Sequence, residues 1–343
     1  MKVTIEDVAR EAGVSIATVS RYMNGRHGYM SAQTRERLRE VVERLGYVPN
    51  TAAQSLKTGK RRLMGVVLAN IAHPFWSEVL AGVEETAQGL GYRVIVSSAS
   101  DRGDLANRYV GLFLNQQVDG LLLNPARADA ATVAKWSRLT VPVVSLDRTL
   151  PDLPFDLVAT DNVRGAHLAI EHLLSLGHRR IGLIAREPGT LSNWHERLQG
   201  YEEALRAGGI EPNPRDIKFV KEVAQSWQDG VRKTVALFRP RSRPTAVFAA
   251  SSILNLEVLA GLKQLGLRVP DDVSVVGYDE SPWDPLLDPP LTTVATQARE
   301  LGRVATERLL HLIEDGPSPE PTAIRLEPRL VVRASTKGIE DRG

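Results

Sequence analysis

Polar and aromatic side chains follow several apolar runs of this sequence. Six of them have chemistry suited to binding a small molecule, namely Asn70, His73, Phe75, Asp147, Arg148 and Asp279. If the runs are parallel strands, these side chains lie at strand carboxyl ends, where open α/β folds bind ligands. Asp accepts hydrogen bonds from hydroxyls and Arg donates to carboxylates or hydroxyls, while Phe75 and Trp283 offer flat faces for a sugar ring. The residues predict a sugar-like ligand, although core packing explains each aromatic equally well.

Motifs for catalysis are missing from the sequence. Residues 89–94, GLGYRV, begin like a dinucleotide loop but lack its third glycine, and no strand leads into them. There is no P-loop, nucleophile elbow or HExxH. His167 and His172 are five residues apart in one predicted helix and do not share a face on which to hold a metal. We therefore expect no enzymatic activity, no cofactor and no metal.

Length and composition narrow the class of protein. A chain of 343 residues is long enough for two or three domains. Cysteine is absent, which excludes disulfides and thiolate zinc sites. The N-terminal residues are charged where a signal peptide is apolar, and no window is apolar enough to span a membrane. We expect a cytoplasmic protein.

Short apolar runs alternate with amphipathic helical stretches from residue 63 onward. The runs are Met64–Leu68, Val94–Val96, Gly120–Leu123, Val141–Leu146, Ile181–Ile184, Ala246–Ala249 and Val273–Gly277. The helical stretches include Trp76–Leu90, Arg164–Leu176, Arg197–Ala207 and Leu254–Leu265. Buried strands separated by helices predict parallel sheets covered on both faces. Two such lobes fit the number of runs, and a (β/α)₈ barrel is the alternative.

The N-terminal residues predict two short helices joined by a tight turn. Thr4 and Asp7 form a capping box, Gly13 ends the first helix, and Ser15 begins a second at Ile16–Met23. This spacing is that of a helix-turn-helix, with an ordinary αα-hairpin as the alternative. Ser31 starts a third helix that Gly46 ends, completing a three-helix head.

Charge is unevenly distributed along the chain. Residues 1–62 contain 12 Lys/Arg and 6 Asp/Glu, a net charge of +6, which leaves −4 for the remainder. A basic head on a mildly acidic body is typical of a protein that binds nucleic acid through the head alone. A solvated basic face would have the same charge.

Short sequence motifs resemble those of a known family. Residues 7–10 (DVAR), 13–15 (GVS), 17–21 (ATVSR) and 24–25 (NG) resemble the N-terminal motif of LacI/GalR-family transcriptional regulators. The resemblance continues in five later segments, 177–181, 197–201, 243–246, 276–279 and 290–293. These resemble the family's regulatory core, itself similar to periplasmic sugar-binding proteins, which implies a two-lobed α/β fold.

The resemblance implies where DNA is bound. Ile16, Ala17 and Arg21 begin the helix that would read bases in the major groove. Residues 49–60 match the family's hinge helix, in which Leu56 would wedge into the minor groove; a plain linker is the alternative. The predicted DNA-binding residues are Thr4, Ser15, Ile16, Ala17, Thr18, Ser20, Arg21, Asn24, Asn50, Ala53, Leu56 and Lys57.

The resemblance also adds residues to the ligand site. Arg197 and Asp279 occupy family positions that reach the effector, whereas Ser252 and Gln225 depart from the family's usual residues, and Trp227 is placed to compensate for Gln225. The predicted effector-binding residues are Asn70, His73, Phe75, Asp147, Arg148, Arg197, Gln225, Trp227, Ser252, Asp279 and Trp283. The motif near residues 21–31 resembles a branch that responds to sugar acids such as 2-keto-3-deoxygluconate. The loss of a family aspartate near Ser252 would also suit a negatively charged ligand.

The expected organisation is a head at 1–48, a hinge helix at 49–60 and a core at 61–338. Lobe 1 would comprise 61–161 and 291–321, and lobe 2 would comprise 162–290 and 322–338. We expect a homodimeric repressor that binds pseudo-palindromic double-stranded operator DNA and is controlled allosterically by a sugar or sugar-acid effector, without a membrane partner. The alternatives, an exported solute-binding protein or a sugar-modifying enzyme, lack an export signal and catalytic motifs respectively.

Overall fold

The chain forms two compact units, residues 1–61 and residues 62–343. A computed structural model describes residues 3–23, 25, 28, 30–47, 61–221, 227–240, 242–316 and 320–339. The predicted hinge at 49–60 lies outside the described residues. Within them, no helix combines the length and apolar character needed to cross a bilayer.

Three helices build the N-terminal unit: α1 Ile5–Ala12, α2 Ile16–Met23 and α3 Ala32–Leu45. The predicted capping box is confirmed, because the Thr4 hydroxyl accepts from the Asp7 N–H and the Asp7 carboxylate accepts from the Thr4 N–H. Gly13 ends α1 at a left-handed φ of 62°. Such local signals form without help from distant residues.

A small apolar core holds the three helices together. Val8 from α1, Val19 from α2 and Leu38 from α3 are fully buried in one cluster. Because Val19 points inward, the opposite side of α2 is left exposed to solvent.

Two six-stranded sheets form the second unit. The first sheet contains β1 Leu63–Leu68, β2 Arg93–Ser98, β3 Gly120–Leu123, β4 Val143–Leu146, β5 Asp156–Thr160 and β11 Ala323–Leu326. The second contains β6 Ile181–Arg186, β7 Ile217–Val220, β8 Ala246–Ala249, β9 Ser274–Tyr278, β10 Thr292–Ala295 and β12 Arg329–Val331. The strand orders are β11-β5-β4-β3-β1-β2 and β12-β10-β9-β8-β6-β7. The two sheets share one strand order and differ only at one edge, where β5–β11 is parallel and β10–β12 is antiparallel. The two separate sheets confirm the two-lobe prediction over the barrel.

Helices cover both faces of each sheet. The first sheet is covered by α4 Phe75–Gly89, α5 Gly103–Asn115, α6 Ala130–Trp136 and α11 Ala298–Asp315. The second is covered by α7 Asn162–Ser175, α8 Ser192–Ala207, α9 Trp227–Phe238 and α10 Ser252–Gln264. Two 3₁₀ turns, Pro214–Asp216 and Asp284–Leu286, join elements of the second lobe. Alternate strand residues enter opposite cores, as a sheet buried on both faces requires.

The chain crosses between lobes three times, and two crossings differ from their predicted positions. The first follows β5, as expected. Strand β10 was placed in lobe 1 by the predicted range 291–321, yet it pairs with β9 of the second sheet. Strand β11 was placed in lobe 2 by 322–338, yet it pairs with β5 of the first sheet. The crossings therefore fall between β10 and α11 and between β11 and β12. Backbone pairing decides which sheet a strand joins, and a short apolar run in the sequence does not reveal its pairing partner.

Candidate ligand site and nucleic-acid interface

Arg197 on α8 is the centre of a buried polar cluster. Its Nε donates to Asn162 Oδ1 at 2.8 Å, and one Nη donates to the Ala250 carbonyl at 2.7 Å. The same Nη lies 3.7 Å from Asp279 Oδ2, and the guanidinium carbon lies 4.0 Å from the Tyr278 ring centroid. Burial alone would lower the pKa of Arg197, but the Asp279 carboxylate raises it overall. The cation therefore stays charged and has partners on several sides.

Asp279 follows strand β9 in a left-handed conformation, with φ 62°. The backbone N–H of Ser252 and the Thr296 hydroxyl, at 3.3 Å, donate to its carboxylate. Burial raises the pKa of Asp279, and the neighbouring Arg197 opposes that rise. Ser252 begins α10, and its buried Oγ has no hydrogen-bond partner among the described residues. Three predicted site residues, Arg197, Ser252 and Asp279, are thus brought together.

Asp147 reaches the same cluster from the other lobe. It follows β4, the topological counterpart of β9, and has a left-handed φ of 68°. The Asn193 side-chain amide donates to Asp147 Oδ2 at 3.1 Å. Burial raises the pKa of Asp147 to about 6, while Arg197 and Arg148 oppose the rise and Asp279 adds to it. Strand ends of both sheets therefore line one interlobe cleft, as predicted from the apolar runs.

Arg148, next along the chain, belongs to a second cluster within lobe 1. Its Nε donates to the Pro125 carbonyl at 2.9 Å, and one Nη lies 3.9 Å from Asp101 Oδ1. Asn70 donates to Asp101 Oδ2 at 2.8 Å. Asp101 was not predicted, although it follows β2 just as the predicted residues follow their strands. It links two predicted residues, Asn70 and Arg148.

Two further residues of the cleft were missed because they lie within a helix. Asn193 and Trp194 occupy the first turn of α8, and the Trp194 ring centroid lies 5.0 Å from the Arg197 guanidinium carbon. Asn193 Oδ1 and Trp194 Nε1 are buried and have no hydrogen-bond partner among the described residues. An asparagine and a tryptophan within a helix are common in any protein, so neither residue gave a signal in the sequence.

Other predicted effector residues lie outside these contacts. Phe75 packs edge-on against Trp76, with 5.0 Å between ring centroids, at the margin of the lobe 1 core. His73 is half-buried at the turn before α4. Trp283 is half-buried beside the Asp284–Leu286 turn, and no described contact joins it to Arg197. Gln225 lies outside the described residues, and of Trp227 only its place at the start of α9 is described.

Unpartnered atoms indicate what the cleft could bind. Asn193 Oδ1 accepts, Trp194 Nε1 donates and Ser252 Oγ does both. Leaving a buried polar atom unsatisfied costs about 1–3 kcal/mol, so such atoms are normally paired with protein, water or ligand. Their position beside Arg197 and two carboxylates suits a ligand that carries several hydroxyls.

The exposed side of α2 holds the residues predicted to meet DNA bases. Ile16 is 47 % exposed, unusual for a large apolar side chain, and Ala17 and Arg21 are exposed with it. Ser15 and Thr18 instead cap the helix, since Ser15 Oγ accepts from the Thr18 N–H at 3.2 Å. Thr4 caps α1, and Ser20 is half-buried. The remaining predicted residues, Asn24, Asn50, Ala53, Leu56 and Lys57, lie outside the described residues.

Comparison with known proteins matches both units. Residues 4–50 match the model of bacterial regulatory proteins of the lacI family, and residues 170–336 match a periplasmic binding protein-like domain. The chain is 33 % identical to the HTH-type transcriptional regulator DegA of Bacillus subtilis over 340 residues, covering 98 % of each. It is also 33 % identical to the HTH-type transcriptional repressor CytR of Escherichia coli, covering 98 % of this chain and 97 % of that protein.

Solved structures agree with these matches. The Lac repressor dimer bound to operator and the anti-inducer ONPF superposes with a TM-score of 0.83 at 31 % identity, covering 98 % of this chain and 100 % of that one. The helix-turn-helix head and the two-lobed core thus occur together, over nearly the full length of these relatives. The chain belongs to the LacI family of bacterial regulatory proteins, and it is a DNA-binding transcriptional regulator rather than an enzyme.

Proposed function

We propose that this regulator is a cytoplasmic repressor that binds pseudo-palindromic operator DNA as a homodimer, and that a small polyhydroxylated effector in the interlobe cleft controls its affinity for DNA. The observation that carries the proposal is the buried cluster of Arg197, Asp279 and Asp147, drawn from both lobes and bordered by unpartnered polar atoms. Because its residues come from both lobes, the geometry of this site changes when one lobe moves relative to the other.

Contacts across the cleft supply the means of control. Asn193 on α8 donates to Asp147, and the Ser192 hydroxyl accepts from the Thr149 N–H at 3.1 Å. Arg127 donates to the Glu187 carbonyl. A ligand that replaces or strengthens such contacts favours one lobe arrangement over another, by as much as its affinity differs between the two.

The DNA-binding surface is the exposed side of α2. Ile16 and Ala17 carry no hydrogen-bonding side-chain groups and select bases by shape and by contact with thymine methyls. Arg21 reaches either guanine O6 and N7 or a phosphate. Twofold pairing of two such heads suits an operator with two related half-sites.

A second copy of the chain fits an apolar groove on lobe 1. Its apolar lining is Leu80, Tyr92, Val94 and Val96, and its polar lining is Glu84, Gln88 and Arg93. Val96, on the edge strand β2, is 41 % exposed. Uncovered edge strands with apolar side chains tend to pair with another chain. The similarity to the Lac repressor dimer supports the homodimer itself.

The test measures operator affinity with and without effector. A thermal-shift screen of neutral sugars, sugar acids and sugar phosphates finds the ligand, and selection from random DNA duplexes finds the operator. Arg197→Ala and Asp279→Ala should weaken the ligand by one to a few decades, because each removes a partner from a buried charged contact. Apo operator affinity should stay close to wild type, since neither residue belongs to the head or hinge.

The linkage between the two sites gives the decisive comparison. A variant that cannot bind the effector should keep the operator affinity of the unliganded protein, whether the effector raises or lowers that affinity in the wild type. If one variant responds with the wild-type midpoint, that residue is not part of the site. If both do, the effector binds elsewhere and the proposal fails.

A further inference from the structure

Two buried arginines beside the cleft, Arg197 and Arg148, are already matched by protein carboxylates. Arg197 lies 3.7 Å from Asp279, and Arg148 lies 3.9 Å from Asp101. Each also donates to a backbone carbonyl, of Ala250 and Pro125 respectively, and Arg197 donates to Asn162 as well. Neither cation therefore remains uncompensated for a ligand.

Charges around these pairs do not change that balance. Asp147 is a third carboxylate, so the five groups carry a net charge of −1 when it is ionised and zero when it is protonated. Glu196, which also acts on Asp147, is paired with Arg325 at 2.8 Å. At the rim, Arg127 is engaged by the Glu187 carbonyl. The five groups around Arg197 and Arg148 are thus neutral to negative together.

An anionic ligand would meet an electrostatic penalty in such a site. Removing a carboxylate or phosphate from water is costly unless the site supplies an unshared cation or several donors. The unpartnered atoms Asn193 Oδ1, Trp194 Nε1 and Ser252 Oγ supply only neutral groups, which suit hydroxyls.

We propose that the effector is a neutral polyhydroxylated molecule rather than a sugar acid or sugar phosphate, and that Asp101 sets this specificity by holding Arg148. The inference rests on the proposed function, since it concerns the ligand of the same cleft. It differs from the expectation of a sugar-acid effector, which rests on the motif at residues 21–31 of the head and on Ser252 in place of a family aspartate. Residues 21–31 report nothing about charge in the cleft, and the carboxylate of Asp279 remains beside Ser252, with that of Asp147 near it.

Asp101 acts as a positioning residue, through Asn70 and Arg148. Its carboxylate accepts from Asn70 Nδ2 at 2.8 Å and compensates Arg148. Asp101→Asn keeps an acceptor for Asn70 but removes one negative charge beside Arg148, which should make the cleft more favourable to an anionic ligand. Arg148→Gln removes that cation.

The experiment is calorimetric titration of the full chain with ligands matched in carbon skeleton. The probes are D-glucose, D-glucuronate and D-glucose 6-phosphate, D-galactose and D-galacturonate, D-ribose and D-ribose 5-phosphate, cellobiose, and 2-keto-3-deoxygluconate. Wild type should bind a neutral probe at least tenfold more tightly than its acidic counterparts. Asp101→Asn should reduce that ratio at least tenfold by binding the acidic probes more tightly. The double variant that also carries Arg148→Gln should lose this gain in affinity for acidic probes. The control is Asp104→Asn, since Asp104 is an exposed carboxylate paired with Arg102 and should leave the ratio unchanged.

Each result decides the matter. Wild-type preference for an acidic or phosphorylated probe overturns the inference while leaving the cleft as the effector site. An unchanged ratio in Asp101→Asn, or a gain that survives Arg148→Gln, overturns the role of Asp101. Should Asp101→Asn fail to fold, the wild-type ratio and the Arg148→Gln ratio still decide the effector's charge. Binding that Arg197→Ala leaves intact overturns the cleft proposal itself.

Discussion

Glu257 on α10 is a fully buried carboxyl, and replacing it with glutamine should stabilise the protein at neutral and alkaline pH. Neither of its oxygens has a hydrogen-bond partner among the described residues. It packs against Gly230 of α9, where an added Cβ would lie 1.7 Å from Glu257 Oε2. Burial raises the pKa of Glu257 from 4.5 to about 7, with Arg186 opposing the rise and Asp229 adding to it.

The sign and size follow from proton linkage. Between pH 4.5 and about 7 the native state keeps a proton that the unfolded state has lost, so the free energy of unfolding falls as pH rises through this window. A shift of about 2.5 pKa units corresponds to about 3 kcal/mol once pH exceeds 7. Glutamine matches the shape of the carboxyl and does not ionise, so the free energy of unfolding of the variant should not fall in this way as pH rises.

The assay is urea denaturation of wild type and Glu257→Gln at about pH 5 and pH 8.5. The stability difference between the proteins should grow by about 2.5 kcal/mol in favour of the variant, because part of the effect is already present at pH 5. Comparing how the stability difference changes between the two pH values cancels any effect of the amide group that does not depend on pH. Glu300→Gln is the control, since Arg303 holds the pKa of that exposed carboxyl below its usual value and the trend should be weak and opposite. A difference that does not vary with pH would refute the reasoning.

Four further substitutions test packing and DNA binding. Gly302→Ala should destabilise the core by about 2–3 kcal/mol in thermal or urea melts, because its Cβ would lie 2.0 Å from the Val79 carbonyl oxygen on α4. Gly111→Ala on α5 has open space around the added Cβ and should stabilise the protein by about 0.5–1 kcal/mol. Arg21→Ala should cost about 1–3 kcal/mol of operator affinity and relax one symmetric pair of positions, whereas an equal loss on every sequence would assign Arg21 to a phosphate. Leu56→Ala should weaken specific binding more than non-specific binding and reduce DNA bending; an unbent operator in the wild-type complex would contradict this.

Local signals in the sequence were enough to predict the head. Thr4, Asp7 and Gly13 act on groups within three or four residues, so their roles could be read directly. The strand-end residues Asp147 and Asp279 could also be predicted, because parallel strands carry their ends to one edge.

Long-range pairing could not be predicted in the same way. Strand β11 alternates between exposed and half-buried residues at a sheet edge, and nothing in its pattern names β5 as its partner. Asp101 and Asn193 join the cleft through contacts with Asn70 and Asp147, 31 and 46 positions away, which spacing does not reveal. Trp194 joins it through Arg197, one turn further along the same helix.

The crossing between β11 and β12 has a consequence for how the protein is made. Both sheets gain an edge strand from residues 323–331, and Ser335 then ties the chain to the second sheet by donating to the Val275 carbonyl and accepting from the Thr292 N–H. Synthesis runs from the N-terminus, so the head can fold on the ribosome while both lobes wait for nearly the last segment of the core. A chain stalled or cleaved before residue 323 would expose the edges of β5 and β10 together, two strands ready to pair with a neighbouring chain. Quality control of this regulator therefore depends on the short segment 323–331, which completes both sheets.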